Sequence, residues 1–327
     1  MRIRPVIAPD LVRFLPLLIA DPVCGLTPDT YRSRLADGQY RHEWTWIAED
    51  SADGVPLAVA VWWGGPDASG PGALDAVFVD ASAGAVGRRA DIAAALLTAA
   101  HGQYAQQGVT APPAFHIFVP VDWRDRPTTV EALDWRREAA CRAGLSAEVE
   151  RLRYEWTPSD GLPAATTSAP TPASARLEFH AEPDDEVFVG LFRGVLADTL
   201  DAASRQEADR IGAEAQARGD VAFYRDDMPG KRSWWRIART PDGEVVGFVI
   251  PSRNQTASVI GYLGVLPVHR GRGYADDLLA EATRLLVAET DARLIRADTD
   301  LTNTPMAAAF ERAGYRNSGR RLVLSAP

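Results

Sequence analysis

The residues best suited to chemistry in this chain are two glycines set among arginines, Arg270-Gly271-Arg272-Gly273, followed by Tyr274-Ala275. They stand between an apolar run, Val259 to Val265 closed by Pro267, and a segment whose Leu278, Leu279, Ala282, Leu285 and Leu286 recur at helical spacing. Glycine lets backbone amides approach a ligand closely, and the first turn of a helix carries unpaired N–H groups with partial positive charge. A loop joining a strand to a helix in this way binds phosphate oxygens, and the arginines add charge-assisted contacts. Taken alone, the pattern also fits a surface turn with solvated arginines.

The elements that must position this loop follow from periodicity and turn residues. A strand is predicted near Leu177 to His180 and a polar, acidic helical region from Asp184 to about Gly219. Strands follow at Ser233 to Ala238, Val245 to Ile250 and Ser258 to Val265. A helix over Tyr274 to Ala288, a strand at Leu294 to Ala297, a helix over Pro305 to Ala313 and a strand near Arg321 to Leu324 complete the half. An antiparallel hairpin followed by βα alternation is an α+β plan, or α/β by looser counting. The first half repeats the order. Asp53-Gly54 before the apolar strand Leu57 to Trp63 matches Asp242-Gly243 before Val245 to Ile250, and Arg142-Ala143-Gly144-Leu145 matches Arg312-Ala313-Gly314-Tyr315. Residues 158–175, rich in Pro, Ala, Ser and Thr, read as a linker between a first domain at 1–157 and a second at 176–327.

At this point the second half resembles the GCN5-related N-acetyltransferases (GNAT superfamily). The signature Arg/Gln-x-x-Gly-x-Gly/Ala stands as Arg270 to Ala275, preceded by Val265-Leu266-Pro267 and followed by Asn303 and by Phe310-Glu311-Arg312-Ala313-Gly314-Tyr315. The resemblance implies two tandem GNAT-like domains, each a mixed, mostly antiparallel sheet flanked by helices, with acetyl-CoA as co-substrate. It implies that amides of the loop Arg270 to Ala275 hold the CoA pyrophosphate with Arg270 and Arg272 beside it. The strand ending at Val265 would splay from the next strand, leaving a gap for the pantetheine arm, and a backbone N–H around Leu263 to Val265 would polarise the thioester. Asn303 and Phe310 would complete the cofactor site. The acidic helical region would roof the acceptor, with Asp198 or Asp201 holding a cationic amine. Trp234 and Trp235, adjacent on a predicted strand, face opposite ways, so that one is core and the other, Trp235, lines the cleft.

Two departures from the family's pattern bear on the reaction. Tyr262 stands where many members carry a glutamate base, and Phe310 where many carry a tyrosine that protonates the thiolate. Tyr262 and Tyr315 are therefore the candidate proton-handling groups, with positioning alone as the alternative. In the first half the corresponding loop, Ala85-Val86-Gly87-Arg88-Arg89-Ala90, lacks the second glycine, so this repeat is expected to be degenerate.

Composition narrows the partners. With a net charge of −9 and an isoelectric point near 5.2, the chain is not expected to bind nucleic acid. The apolar run Phe14 to Ala20 is interrupted by Pro16 and reads as the buried face of a first helix, and nothing approaches a membrane span. Cys24 and Cys141 signal neither a disulfide framework nor a metal site, which fits the cytoplasm. The expected function is transfer of acetyl from acetyl-CoA to a primary amine of a small molecule. The alternatives are a protein or peptide amine, or a CoA-binding sensor or scaffold without catalysis.

Overall fold

The computed structural model describes residues 1–80, 86–163, 176–254 and 256–327. Most of the expected linker, residues 164–175, and Ala85 of the first-half loop lie outside the described residues. By contacts the chain divides into two units: Met1–Glu150 with Arg320–Pro327, and Arg151–Gly319.

In the first unit, strands β1 (Arg2–Pro5), β2 (Thr45–Glu49), β3 (Pro56–Trp63) and β4 (Ala73–Val79) pair antiparallel in sequence order, and β5 (Phe115–Val119) lies parallel to β4. Alternation along β2 sends Trp46 and Ile47 to opposite faces. Trp46 packs with α3 (Val86–Gln106) and α4 (Pro127–Arg142), and Ile47 with α1 (Leu11–Phe14) and α2 (Pro28–Ala36). The expected first helix is broken at Pro16. Its helical turn ends at Phe14, a 3-10 turn spans Leu15–Leu17, and Ile19 is exposed while Phe14, Leu15 and Leu18 are buried.

The second unit has the same plan. Strands β7 (Glu178–His180), β8 (Arg236–Arg239), β9 (Val245–Arg253) and β10 (Ser258–Val265) are antiparallel neighbours, and β11 (Ile295–Asp300) runs parallel to β10. One face carries α8 (Tyr274–Thr290) and α9 (Thr304–Arg312), and the other α5 (Asp185–Leu196) and α7 (Ala213–Ala222), with α6 (Ala202–Ile211) between α5 and α7 in the chain. Each unit thus has helices covering both sheet faces, the mixed and mostly antiparallel arrangement expected.

The division by contacts differs from the covalent division at the linker. Strand β6 (Ala147–Trp156) precedes the linker, yet its residues from Arg151 to Trp156 pair antiparallel with β11. Strand β12 (Arg316–Ser325), the last in the chain, pairs with β5 through residues Arg320 to Leu324. Leu152, Tyr154 and Trp156 accordingly sit in the core of the second unit, and Leu322 and Leu324 in that of the first. Strand pairing satisfies a sheet edge wherever hydrogen-bond partners are available, and order along the chain does not fix which edge that is.

Candidate functional site

Strand β10 separates from its parallel neighbour immediately after it begins. Only Ser258 and Val259 pair with β11, opposite Ile295 and Arg296, whereas pairing with β9 continues to Val265. A bulge at Gly261 interrupts the β9 register between Ile260 and Tyr262, and bulges bend the strand that carries them. The phenolic Oη of Tyr224 donates to the Gly261 carbonyl at 2.7 Å, fixing the bulge from the helical side. Beyond Val259 the β11-facing edge of β10 is therefore unpaired, and it borders a cleft of about 490 Å³ lined by Tyr262, Leu263, Gly264 and Val265.

The loop closes one end of this cleft. Gly271 and Gly273 both have φ +76°, a conformation that L side chains rarely adopt, and Gly273 caps the N-terminus of α8. Among the described residues, the amides of Gly271, Arg272, Gly273, Tyr274 and Ala275 find no carbonyl acceptor, while Asp276 N–H turns back to the Gly273 carbonyl at 3.1 Å. Five consecutive N–H groups at a helix N-terminus, four of them belonging to residues that line the cleft, form a donor array of the kind that can hold anionic oxygens. Arg176, just past the linker, steadies the loop: Nη2 donates to the Arg272 carbonyl at 2.6 Å and the guanidinium lies 4.8 Å from the Tyr274 ring centroid. Sequence reasoning missed Arg176, since no local signal ties it to a loop 96 residues away.

Arg270 lines the cleft, but its guanidinium is engaged in holding the protein together. Nε donates to the Val265 carbonyl at 3.0 Å, Nη1 to the Ala197 and Asp198 carbonyls at 2.8 and 3.3 Å, and Nη2 to the Val195 carbonyl at 2.8 Å. The side chain thus clasps the C-terminus of α5 to the end of β10 and does not point its charge at a phosphate, as the resemblance implied. Asp198, held at φ +54° beside this clasp, also lines the cleft. Replacing Arg270 with Ala should cost about 2–4 kcal/mol of unfolding free energy, because two part-buried carbonyls, of Val265 and Val195, and two exposed ones lose a charged donor together. Lysine should recover little of it, since one ammonium cannot span the planar fork. Chemical denaturation of both variants measures this.

The other expected site residues divide into two groups. Asn303 lines the cleft, and its Oδ1 caps α9 by accepting from Met306 N–H at 3.3 Å. Arg272 is exposed, and its carbonyl, not its side chain, is engaged. Asp201 caps α6, accepting from Ser204 N–H at 2.7 Å, and pairs with Arg151 at 3.3 Å, so it does not line the cleft. Phe310 does not reach the cleft either. It is buried, stacked on Tyr154 with centroids 5.0 Å apart, because β6 brings an aromatic to its face that sequence order assigns to the other domain. Trp235 is 1% exposed and Trp234 3%. The two lie in the cores on opposite sides of the sheet, so opposite faces here mean two cores instead of a core and a cleft.

Tyr315 is also buried, its hydroxyl 2.7 Å from that of Thr283, and burial raises its pKa well above the ordinary phenol value. With no route to the cleft it cannot protonate a leaving group. Tyr315→Phe should therefore cost about 1 kcal/mol of stability and leave any acetyl-transfer rate unchanged, as thermal unfolding and a thiol-release assay would show.

The first unit keeps the splay. Strand β4 pairs with β5 only at Leu74 and Phe115, and its own bulge falls at Asp75. Here the gap is occupied by Arg136 of α4, 2% exposed, whose Nε and Nη2 donate to the Val77 carbonyl at 3.1 and 2.9 Å. Nη1 donates to the Ala132 carbonyl at 2.9 Å, and the guanidinium also pairs with Asp21. Counting back from the shared Arg-Ala-Gly, Arg136 corresponds to Met306, which lines the cleft of the second unit. The residues Val86 to Ala90 of the first-half loop belong to α3, and Arg89 pairs with Glu131 at 3.8 Å.

Residues 196–315 match the family model described as the acetyltransferase (GNAT) family. Among solved structures, the chain is similar to a GCN5-related N-acetyltransferase from Sphaerobacter thermophilus, at 15% identity and a TM-score of 0.59, covering 98% of this chain and 94% of that one. It is also similar to a tandem GNAT protein from the clavulanic acid biosynthesis pathway, at 17% identity and a TM-score of 0.52, covering 100% of this chain and 98% of that one. No curated protein matches it significantly. The GNAT family match thus falls within the second unit, and over its whole length the chain shares the fold of solved structures that include a tandem GNAT protein. No helix among the described residues is long and apolar enough to cross a membrane.

Proposed function

We propose that the second unit is an acetyl-CoA-dependent N-acetyltransferase that acts on a primary amine of a small molecule by direct attack on the thioester. The observation that carries this reading is the coincidence, in one cleft, of a strand edge left open after Val259 and five unpaired amides at the N-terminus of α8. The amides of Gly271 to Ala275 would receive the diphosphate, and the open edge of β10 would align the pantetheine arm. A main-chain N–H between Leu263 and Val265 would face the thioester oxygen, an interaction typically contributing a few kcal/mol as negative charge develops there. We assign the first unit a structural role, since Arg136 occupies the corresponding gap. The two cysteines are unpaired, in keeping with the reducing cytoplasm as the compartment.

Titration calorimetry with acetyl-CoA tests the reading: one site per chain is expected. No binding would overturn it, and two sites would overturn the assignment of the first unit. The absence of a carboxylate at Tyr262 and of a hydroxyl at Phe310 favours a second reading, a CoA-responsive binding protein. That reading gains if acetyl-CoA binds yet a panel of primary amines yields no thiol release.

A further inference from the structure

Gln216, Asp220 and Tyr224 are spaced four apart and so share a helical face, which continues into the π-helical turn Phe223–Asp227. The hydrogen bond from Tyr224 to the Gly261 carbonyl docks that face on the β10 bulge, where the Tyr224 and Tyr262 rings lie 6.2 Å apart. Tyr262 lines the cleft, is packed against Phe192 and Phe248, and its hydroxyl has no hydrogen-bond partner among the described residues. Asp220 and Asp201 both act electrostatically on that hydroxyl.

Asp220 differs from the other carboxylates here. Asp201 and Asp300 share Arg151, at 3.3 and 3.0 Å, and Glu207 pairs with Arg210. Asp220 has no cation within ion-pair distance among the described residues and is held only by Gln216 Nε2, at 3.2 and 3.1 Å from its two oxygens. On α5, the charged groups Glu186 and Arg193 turn to Arg218 and Glu214. A largely buried carboxylate without a counter-charge is costly unless a ligand supplies one. Burial, reinforced by Asp201 and Glu207 and opposed by the Gln216 hydrogen bond, pushes its carboxyl up to about 6, in the range suited to taking a proton near neutral pH. Tyr262, raised far above the ordinary phenol value by burial and then by Tyr224, Asp201 and Asp220, stays protonated and can relay a proton without ionising.

Resting on the acetyltransferase reading, we propose that the acceptor enters as an ammonium ion and that its proton passes by way of the Tyr262 hydroxyl to Asp220. Solvent bridges the remaining gap. The neutral nitrogen then forms the C–N bond with the thioester carbonyl carbon, and the C–S bond breaks with its electron pair on sulfur. The thiolate takes the second proton shed by nitrogen, and the first leaves Asp220 to solvent. Asp220 is in this scheme a positioning residue acting through Tyr262.

Asp220→Asn in the full chain, with benzylamine as probe acceptor, tests the scheme. Acetyl-CoA affinity should match the wild type in calorimetry, and failure of the wild type to bind would count against the function and not against the relay. Benzylamine-dependent thiol release should fall by about 100-fold, and the acid limb near pH 6 expected of the wild type should be absent from the variant. Unfolding supplies an independent readout. A carboxyl whose folded pKa is raised contributes stability that is present below its unfolded value of about 4 and is lost as pH rises through about 6. The variant should therefore melt higher than the wild type above pH 6 and equally below pH 4. Retained rate and pH profile in the variant overturn the proposal. If the wild type does not turn over benzylamine, the melting curves decide, and coincident pH dependence overturns it.

Discussion

Gly273→Trp is expected to weaken acetyl-CoA binding by at least about 100-fold while lowering the melting temperature by only a few degrees. The backbone at position 273 has φ +76°, so any L side chain costs about 1–2 kcal/mol there, which in a domain of this size shifts melting by roughly 2–8 °C. An added Cβ meets nothing closer than Arg176 Nη1 at 3.9 Å, so the fold has room for it. The indole, however, would fill the space over the amides of Gly271 to Ala275. Losing two hydrogen bonds to a charged phosphate, each about 1.5–3 kcal/mol, corresponds to about 100-fold or more in affinity. Calorimetry beside thermal unfolding separates the two effects, and unchanged affinity would show that the loop is not the grip.

Gly247→Ala, by contrast, should damage fold and site together. Gly247 lies opposite Val265 in the pairing of β9 with β10, and a Cβ there would come within 2.2 Å of the Gly264 carbonyl oxygen and 3.0 Å of Val265 Cα. These are backbone atoms, so no rotamer change relieves the overlap, and the end of β10 must move. Overpacking of this kind costs about 3 kcal/mol. Gly264 and Val265 border the cleft where the thioester would lie, so acetyl transfer should also fall, by about tenfold or more for a displacement of this order. Urea denaturation and initial rates measure the two losses, and a variant with wild-type stability would refute the argument from close approach.

How much of this was legible in the chain depends on how local each feature is. The joint Val265 to Tyr274 was readable because strand, glycine loop and helix start are contiguous, and the glycines' positive φ follows from their own sterics. Strand β10 was expected at Ser258 to Val265 and is found there. The strand expected to begin at Ser233 begins at Arg236, since Arg232–Trp234 forms a 3-10 turn, and propensity alone does not distinguish the two. The duplication was visible in repeated motifs, and it is mirrored in the parallel pairs β4 with β5 and β10 with β11, each joined at only one or two positions.

What the sequence by itself determined, then, was the plan of each half, the strand–glycine loop–helix joint proposed to hold a diphosphate, and the presence of Tyr262 and Phe310 at the positions flanking it in the family pattern. All three depend on short stretches whose periodicity and glycine content carry the physics. Only the tertiary structure decided that β6 and β12 complete the sheets of the units across the linker from them, that Trp235 and Phe310 are core, and that Arg270 clasps α5. It also decided that Arg136 fills the first gap and that Asp220 meets Gln216 and no cation among the described residues. Each of these depends on which distant backbone carbonyl, ring or charge a side chain meets. Spacing along the chain does not encode that, because desolvation and hydrogen bonding act through space.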